Sequence, residues 1–212
     1  MSARALSTAD WPTEHLDLDV LRQCTRCGAR LVRPRRTDVL VVLDRESWDH
    51  NAHRLLADAE RTGSPATLLF LDLDKFKTVN DTYGHIAGDR VLAAASSVLQ
   101  QGIRSGDLLG RYGGDEFVLL LANAGLTDAL RAAQEIRDAI RSMRVTVPTL
   151  DGETATITTV TVSVGVAGYS PQRHRTLDRL LLEADRALYA AKRAGRNQVC
   201  PASPLPQRKT LI

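Results

Sequence analysis

Hydrophobic residues recur at helical spacing in four stretches of the chain, and each stretch predicts an amphipathic helix. In the last stretch the apolar residues fall on one face, and the pattern stops at Gly195, since glycine commonly ends a helix. Gly63 and Pro65 end the first stretch in the same way. The four predicted helices cover residues 47–61, 88–101, 127–142 and 177–194.

Shorter apolar runs predict the strands of a sheet. The run ATLLFL at residues 66–71 ends in acidic residues, and two further runs flank Gly113-Gly114. A Gly-Gly pair between strands predicts a tight hairpin in which both glycines have positive φ. Later strands are predicted at residues 144–149, 157–168 and 197–200, with a turn at Asp151-Gly152 between the first two. This order of elements indicates an α+β or α/β sheet covered by helices.

Two acidic clusters lie where predicted strands end or turn. Asp72 and Asp74 are two residues apart, so on an extended backbone they point to the same side. Asp115 and Glu116 directly follow the Gly-Gly pair, whose missing Cβ atoms let a nucleotide approach the backbone. If the strand that ends at Asp72 and the strand that follows Gly114 are neighbours, their carboxylates meet at one edge of the sheet. Their mutual repulsion then requires a cation, and oxygen ligands of this kind favour Mg²⁺ or Mn²⁺. A structural hairpin with solvated acids is the alternative that the spacing leaves open.

Lysine is scarce in this sequence, with four residues against 24 arginines. Lys192 lies near the end of the last predicted helix, and Arg196 follows four residues later. The two side chains could hold one phosphate group together. The alternative is that both complement the helix dipole and contact water.

The stretch Gly113-Gly114-Asp115-Glu116-Phe117 resembles the signature of the GGDEF family, the diguanylate cyclases. Other motifs of that family follow in order and at family spacing between residues 44 and 199. They are Leu71-Asp72-Leu73-Asp74-Lys75-Phe76-Lys77, Asn80-Asp81, Gly84-His85, Gly88-Asp89, Ser163-Val164-Gly165-Val166-Ala167, Ala184-Asp185, Ala187-Leu188-Tyr189, Ala191-Lys192 and Gly195-Arg196-Asn197.

The resemblance implies an enzyme that condenses two GTP molecules into cyclic di-GMP and releases two pyrophosphates. It implies an α+β (α/β sandwich) domain whose central, mostly antiparallel five-stranded sheet is flanked by helices, as in the palm-like nucleotidyl cyclase fold. Each domain would hold one GTP and two domains would meet face to face, so the active form would be a homodimer.

The resemblance also implies roles for individual residues. Asp72, the main-chain carbonyl of Leu73 and Asp115 would bind a Mg²⁺ pair, with Glu116 also at the metals. Either Asp115 or Glu116 would help to deprotonate the attacking 3′-hydroxyl. Asp89 would accept from the N1–H and 2-amino donors that guanine has and adenine lacks, which favours GTP. The residues expected to bind substrate are Asn80, His85, Asp89, Gly113, Gly114, Lys192 and Arg196.

Arg104 and Asp107 form an Arg-x-x-Asp motif that ends shortly before the Gly-Gly pair. The family's inhibitory site lies in this register, so the resemblance implies that cyclic di-GMP binds there as a feedback ligand. The guanidinium would fork onto guanine or phosphate, and the carboxylate would accept from guanine. An ordinary ion pair in a loop is the alternative.

The composition is that of an ordinary globular domain, with 43% apolar and 25% charged residues in a chain of 212. It has no run of eighteen apolar residues and no apolar signal core, so we expect a cytoplasmic protein without a transmembrane segment. Residues 1–37 carry seven arginines against four acids, whereas residues 38–202 carry 19 basic against 21 acidic residues. A net acidic domain argues against a polymerase palm or another nucleic-acid partner.

We divide the chain into an irregular basic arm at residues 1–37, a GGDEF domain at 38–202 and a polar tail at 203–212. We expect the arm to be too short for a sensor, so that dimerisation has another origin and a regulatory partner protein could take part. Cys24 and Cys27 resemble half of a zinc knuckle that a second chain, or His50 and His53, could complete. We favour free reduced thiols there, and a solvated arm over one that binds an acidic partner or lipid.

The front edge of the domain departs from the family pattern. Members usually open with Asp-x-Leu-Thr-Gly-Leu-x-Asn-Arg, whereas residues 38–45 here read DVLVVLDR and lack the Thr-Gly pair. Only Arg45, and Asp44 in place of asparagine, remain. We expect this departure to alter how the domain is coupled to an upstream helix and to leave the metal site unchanged.

A second class of function fits the same fold. A non-catalytic domain could serve as a receptor for GTP or cyclic di-GMP, or as a docking module for a partner. Degenerate family members usually lose the signature acids, and this chain keeps all of them. We therefore favour the enzyme.

Overall fold

The computed structural model describes residues 42–149 and 152–203. The predicted basic arm with Cys24 and Cys27, and all but the first residue of the predicted tail, lie outside this part of the chain. The described helices are α1 (Arg45–Thr62), α2 (Phe76–Tyr83), α3 (His85–Gly102), α4 (Leu126–Arg141) and α5 (Leu177–Arg193). The described strands are β1 (Ala66–Asp74), β2 (Leu108–Arg111), β3 (Glu116–Ala122), β4 (Val145–Pro148), β5 (Thr154–Ile157), β6 (Thr161–Gly168) and β7 (Val199–Pro201).

Five strands form a central sheet in the order β2-β3-β1-β6-β7. Only the β6–β7 pair is parallel, so the expected mostly antiparallel five-stranded sheet is confirmed. β1 is the middle strand and is buried along its whole length, which explains why its sequence is a continuous apolar run and not an alternating one. The acids that end this run are thereby placed at the centre of one sheet edge.

The two faces of the sheet are covered by different helices, and the alternation along β1 separates them. Leu69, Leu71 and Leu73 pack into a cluster that includes residues of α3 and α4. Leu68 and Phe70 face a cluster with residues of α1 and α5. The helix α5 lies directly on β6, because a Cβ at Gly165 would collide with the main chain of Ala184 and Leu188. The helices therefore sandwich the sheet, as the α+β expectation requires.

The predicted strand at residues 157–168 is wrong as a single element. The chain divides there into β5, which pairs with β4 in a separate two-stranded sheet, and β6, which pairs with β1 in the central sheet. Residues on both sides of 158–160 are rich in β-branched side chains. The composition therefore cannot show where the chain leaves the two-stranded sheet and enters the central sheet. Of the turn predicted at Asp151-Gly152, Asp151 lies outside the described residues, and Gly152 has the positive φ of a turn, at 87°.

Helix α2 has no counterpart among the predicted helices. It has eight residues and none of them is buried; Phe76, Val79 and Tyr83 are only partly covered against the core. Gly84, with φ of 85°, separates it from α3, which begins three residues earlier than predicted. An element this short has too few turns for a clear hydrophobic period. Within the described ranges no helix is long and apolar enough to span a membrane.

Candidate functional site

The two acidic clusters meet at one edge of the central sheet. β1 and β3 run antiparallel, and their register places Asp72 opposite Glu116. The main-chain N–H of Leu73 donates to the carbonyl of Asp115 over 3.2 Å, which extends the pairing beyond β3. The sheet-neighbour expectation is therefore confirmed, and three carboxylates, from Asp72, Asp115 and Glu116, share this edge.

Lys192 brings a positive charge to this edge. Its Nζ lies 2.7 Å from Asp72 Oδ2, and the lysine side chain is 32% exposed. Burial raises the pKa of Asp72, the ammonium of Lys192 opposes that shift, and the charges of Asp115 and Glu116 add to it. The sequence predicted a phosphate contact for Lys192, and the structure shows that its present partner is the central carboxylate.

The loop that carries the signature joins β2 to β3. It spans residues 112–115 and is closed by the N–H groups of Tyr112 and Gly113, which both donate to the Glu116 carbonyl. The expectation of positive φ at Gly113 and Gly114 is wrong, because a four-residue loop does not require the two-residue hairpin geometry. Gly114 is exposed and a Cβ there would meet no atom within 4 Å, so its face is open to a ligand.

Arg111 fixes this loop, a role that the sequence reasoning missed. Its Nε and Nη2 donate to the carbonyl of Gly114 at 3.2 and 2.6 Å. Two bonds from one planar guanidinium restrain the direction of that carbonyl more than one bond would. No spacing rule pointed to Arg111, because both partners lie within the loop and its flank.

The retained part of the front edge contacts the same loop. The guanidinium of Arg45, at the start of α1, lies 4.3 Å from the centre of the Tyr112 ring. Tyr112 also packs edge-on against Trp48 and Phe70, at centroid distances of 6.1 and 5.4 Å. Asp44 caps α1 by accepting from the N–H of Ser47. Arg45 therefore supports the signature loop from outside, although the Thr-Gly pair is absent.

The residues expected to bind guanine lie on α2 and α3. Asn80 is in the last turn of α2, and its side-chain oxygen occupies the space that a Cβ at Gly88 would need. His85 and Asp89 are exposed and one helical turn apart at the start of α3, so they share a face. The missing side chain at Gly88 therefore lets Asn80 pack against α3, the helix that carries Asp89.

The last motif forms a tight turn after α5. Arg196 is exposed, and both Arg196 and Asn197 have left-handed backbone conformations, with φ of 63° and 49°. Asp74 lies behind this turn and is 7% exposed. Its carboxylate accepts from the hydroxyls of Thr161 and Ser163 and from the N–H of Asn197. Asp74 is therefore held by three hydrogen-bond donors, whereas Asp72, which is equally buried, pairs with Lys192.

The Arg-x-x-Asp motif forms the turn between α3 and β2. Asp107 is 8% exposed and accepts from the main-chain N–H of Arg104 over 2.8 Å and from that of Ala122 over 3.0 Å. Burial raises the pKa of Asp107, and the two N–H groups and the Arg104 charge oppose the shift. The carboxylate holds the turn, and the exposed Arg104 side chain remains on the surface.

The donor set at the acidic edge fits a hard divalent cation. In the described ranges, no three His, Cys, Asp or Glu side chains form a ready-made metal site. Mg²⁺ requires less than that, because it is usually held by one or two carboxylates together with substrate phosphates and water. Asp72, the Leu73 carbonyl and Asp115 are the groups that would hold it, and the crowding of like charges at Asp72 favours a cation there.

Comparison with known families identifies the family of this chain. The model of the family "Diguanylate cyclase, GGDEF domain" matches residues 36–198, and the chain belongs to that family. Enzymes of this family generally depend on a divalent metal.

Curated relatives share this domain. Diguanylate cyclase DosC of Escherichia coli K12 is 40% identical over 146 residues, which are 69% of this chain and 30% of that protein. Diguanylate cyclase DgcM of the same strain is 40% identical over 136 residues, 64% of this chain and 30% of that protein. The chain thus matches about a third of the length of these relatives.

Solved structures share the fold. The GGDEF domain of DgcB from Caulobacter crescentus, crystallised with c-di-GMP, is 33% identical with a TM-score of 0.71 and covers 83% of this chain and 98% of its own. Diguanylate cyclase SiaD from Pseudomonas aeruginosa, solved with its activator SiaC, is 37% identical with a TM-score of 0.69 and covers 78% of this chain and 61% of its own.

Proposed function

We propose that this protein is a diguanylate cyclase that condenses two GTP molecules into cyclic di-GMP and two pyrophosphates. The observation that carries the proposal is the acidic edge, where Asp72, Asp115 and Glu116 meet beside the open glycine loop and Lys192. A purely structural hairpin would not need two further carboxylates, Asp115 and Glu116, beside the buried Asp72. The family and the relatives' names support the same activity.

Different side chains of the protein serve different parts of the reaction. Asp115 or Glu116 accepts the proton of a 3′-hydroxyl, whose oxygen then bonds to the α-phosphorus of the facing GTP as pyrophosphate leaves. Lys192 and Arg196 hold the terminal phosphates of the substrate. When bound by the Asp72 edge, a divalent cation, Mg²⁺ or Mn²⁺, supplies neutralisation of the phosphate charge and lowers the pKa of the attacking hydroxyl.

Each domain binds one GTP, so the two-fold reaction requires a homodimer with the two sites facing each other. Asn80, His85 and Asp89 form the guanine-binding wall at the α2–α3 corner, and the geometry of Asn80 beside Gly88 supports this placement. The Arg104-x-x-Asp107 turn is the product-inhibition site, with the exposed guanidinium as the contact group. The Asp107 carboxylate contributes by keeping the turn in shape.

The test is incubation of the purified chain with GTP and Mg²⁺, at several protein concentrations, with chromatography of the nucleotides. We expect cyclic di-GMP to form with a rate that rises more than linearly with protein concentration at low concentration, because the dimer is the active form. Asp115→Ala should abolish the product, and Asp138→Ala, which removes an exposed carboxylate of α4, is the matched control.

Two outcomes would overturn the proposal. Bound GTP without product at every protein concentration would indicate a receptor and not an enzyme. Cyclic AMP-GMP as the main product from mixed nucleotides would overturn the guanine assignment. For the regulatory site, Arg104→Ala should relieve non-competitive inhibition by cyclic di-GMP, and unchanged inhibition would remove that part of the proposal.

A further inference from the structure

Asp74 is a buried carboxylate to which the proposed reaction gives no role. It is two residues from Asp72, and both side chains point to the same face of β1. Its Oδ1 accepts from Ser163 Oγ over 2.7 Å. Its Oδ2 accepts from Thr161 Oγ1 over 2.8 Å and from the main-chain N–H of Asn197 over 2.9 Å. Two of these bonds join β1 to β6, and the third joins β1 to the turn after α5.

The turn that Asp74 holds has an unusual backbone. Gly195, Arg196 and Asn197 have φ of 115°, 63° and 49°, three left-handed residues in a row. Glycine adopts this conformation freely and asparagine tolerates it, but an arginine with its Cβ rarely does. Such a conformation persists only where the surroundings hold it in place. Two of the contacts that do so are the Asp74 bond to Asn197 N and the bond of Arg196 N to the Ala191 carbonyl.

The two acids of β1, Asp72 and Asp74, therefore interact directly or indirectly with the two cationic residues expected to bind the phosphates. Asp72 contacts the side chain of Lys192 directly, at 2.7 Å. Asp74 acts on Arg196 through the main chain of the next residue. A hydrogen bond from a main-chain N–H to an ionised carboxylate is stronger than one to a neutral acceptor, so this contact is well suited to holding a strained turn.

We propose that Asp74 is a positioning residue that holds the 195–197 turn so that Arg196 faces the terminal phosphates of the substrate together with Lys192. The proposal rests on the proposed function, because that function supplies the triphosphate. It assigns Asp74 no contact with substrate or metal.

The test compares two probes by calorimetry in the presence of Mg²⁺: a GTP analogue with a methylene group between the α- and β-phosphates, and GMP. GMP lacks the terminal phosphates and reports only on the base, sugar and α-phosphate subsites. In Asp74→Asn we expect the ratio of triphosphate to monophosphate affinity to fall about tenfold, the size of one hydrogen bond to a charged group. The KM for GTP should rise by the same factor, with a smaller change in kcat.

Two further variants separate positioning from general destabilisation. Ser163→Ala removes a donor to Asp74 but leaves its bond to Asn197 N, so it should lower the melting temperature and keep the affinity ratio. Asn197→Gly keeps the main-chain donor and makes a positive φ easy to adopt, so adding it to Asp74→Asn should restore much of the ratio. A loss due only to a damaged fold would not be repaired in this way.

Gly195→Ala gives an independent reading if Asp74→Asn does not fold. The residue is exposed, and alanine disfavours φ of 115°, so the turn should shift while Asp74 stays intact. We expect the same fall in the affinity ratio. An unchanged ratio in folded Asp74→Asn, or in Gly195→Ala if the first variant is unfolded, overturns the proposal. Failure of the wild-type chain to make cyclic di-GMP while these ratios still change would overturn the proposed function and not the positioning role.

Discussion

The two ends of the central sheet each bury a carboxylate, and they surround it with opposite charge patterns. At the signature end, Asp72 has two like charges, Asp115 and Glu116, and one cation, Lys192. At the other end, near the start of β1 and the end of β6, Glu183 of α5 is 4% exposed and lies 2.9 Å from His174 Nε2 and 3.4 Å from Arg173 Nη1.

The far end is arranged as a structural network. His174 Nδ1 accepts from the N–H of Ser170, so the neutral ring carries its hydrogen on Nε2, facing Glu183. Arg173 also reaches the Gly168 carbonyl. Removing one member of a buried, paired network destabilises the fold, because it leaves the remaining polar groups without a partner. Like charges crowded around a carboxylate oppose its ionisation and favour a nearby cation. The signature end is therefore suited to chemistry and the far end to structural support, so mutations at the two ends should separate activity from stability.

The largest expected effect is on catalysis at the signature end. Glu116→Gln should reduce the rate of cyclic di-GMP formation at least about a hundredfold, because it removes a carboxylate from the reacting edge. The melting temperature should stay the same or rise, since one like charge next to Asp72 is lost. Initial rates and thermal unfolding measure both, with the exposed Glu153→Gln as control. A large loss of stability with activity retained would contradict the contrast between the two ends.

The next effect is on stability at the far end. Glu183→Gln should lower the free energy of unfolding by about 2 kcal/mol, because His174 and Arg173 lose a buried charged partner. The rate per folded molecule should not change. Urea unfolding and initial rates provide the readout, and Glu135→Gln on the exposed side of α4 is the matched substitution. If Glu183→Gln lost activity in proportion to Glu116→Gln, the two ends would not be independent.

A smaller effect is expected at the loop support. Arg111→Lys keeps the charge but loses the two-pronged contact with the Gly114 carbonyl, so kcat should fall about threefold. The melting temperature should remain within about 1 °C, since Arg111 is exposed. Arg131→Lys on the surface of α4 should leave kcat as it is. A kcat equal to wild type in Arg111→Lys would show that the loop is held by Arg45 and Tyr112 alone.

The smallest effect is a pH dependence at the turn between α3 and β2. The pKa of Asp107 is raised in the folded protein, mainly by burial. The folded state therefore binds a proton more tightly than the unfolded state, and this contribution to stability decreases as pH rises from about 4 until Asp107 is ionised. Asp107→Asn should lack this decrease. The readout is the free energy of unfolding of the wild type minus that of the variant, measured along a pH series. We expect this difference to decrease as pH rises, and an increase would contradict the prediction.

Local sequence signals were sufficient for most of the elements. The helical period located α1, α3, α4 and α5 to within a few residues, because each buries a long apolar stripe against the sheet. Helix α2 was not predicted, because it buries no residue. Strands β5 and β6 were predicted as one strand, because both are rich in β-branched residues. The φ values of the glycine pair were wrong because the loop length, which depends on where β2 and β3 pair, was not known.

The candidate site was only partly visible in the sequence. The spacing of Asp72 and Asp74 showed that they share a face, but it could not show that one of them is sealed by Thr161, Ser163 and Asn197. Those partners lie about ninety to a hundred and twenty residues away in the chain, as the bonded pairs show. The roles of Arg111 and Arg45 at the signature loop were missed for a related reason, since surface arginines are common and only their contacts distinguish these two.

The sequence by itself determined the family, the amphipathic faces of the long helices and the acidic edge at the end of a buried strand. These are local properties, because side-chain periodicity and strand alternation depend on neighbours in the chain. Only the tertiary structure decided which buried carboxylate pairs with Lys192 and which is enclosed by hydrogen-bond donors, since burial, hydrogen bonding and the approach of Lys192 depend on α5 packing onto β6 at Gly165. The same two aspartates therefore differ in chemistry because of what the folded chain places beside them.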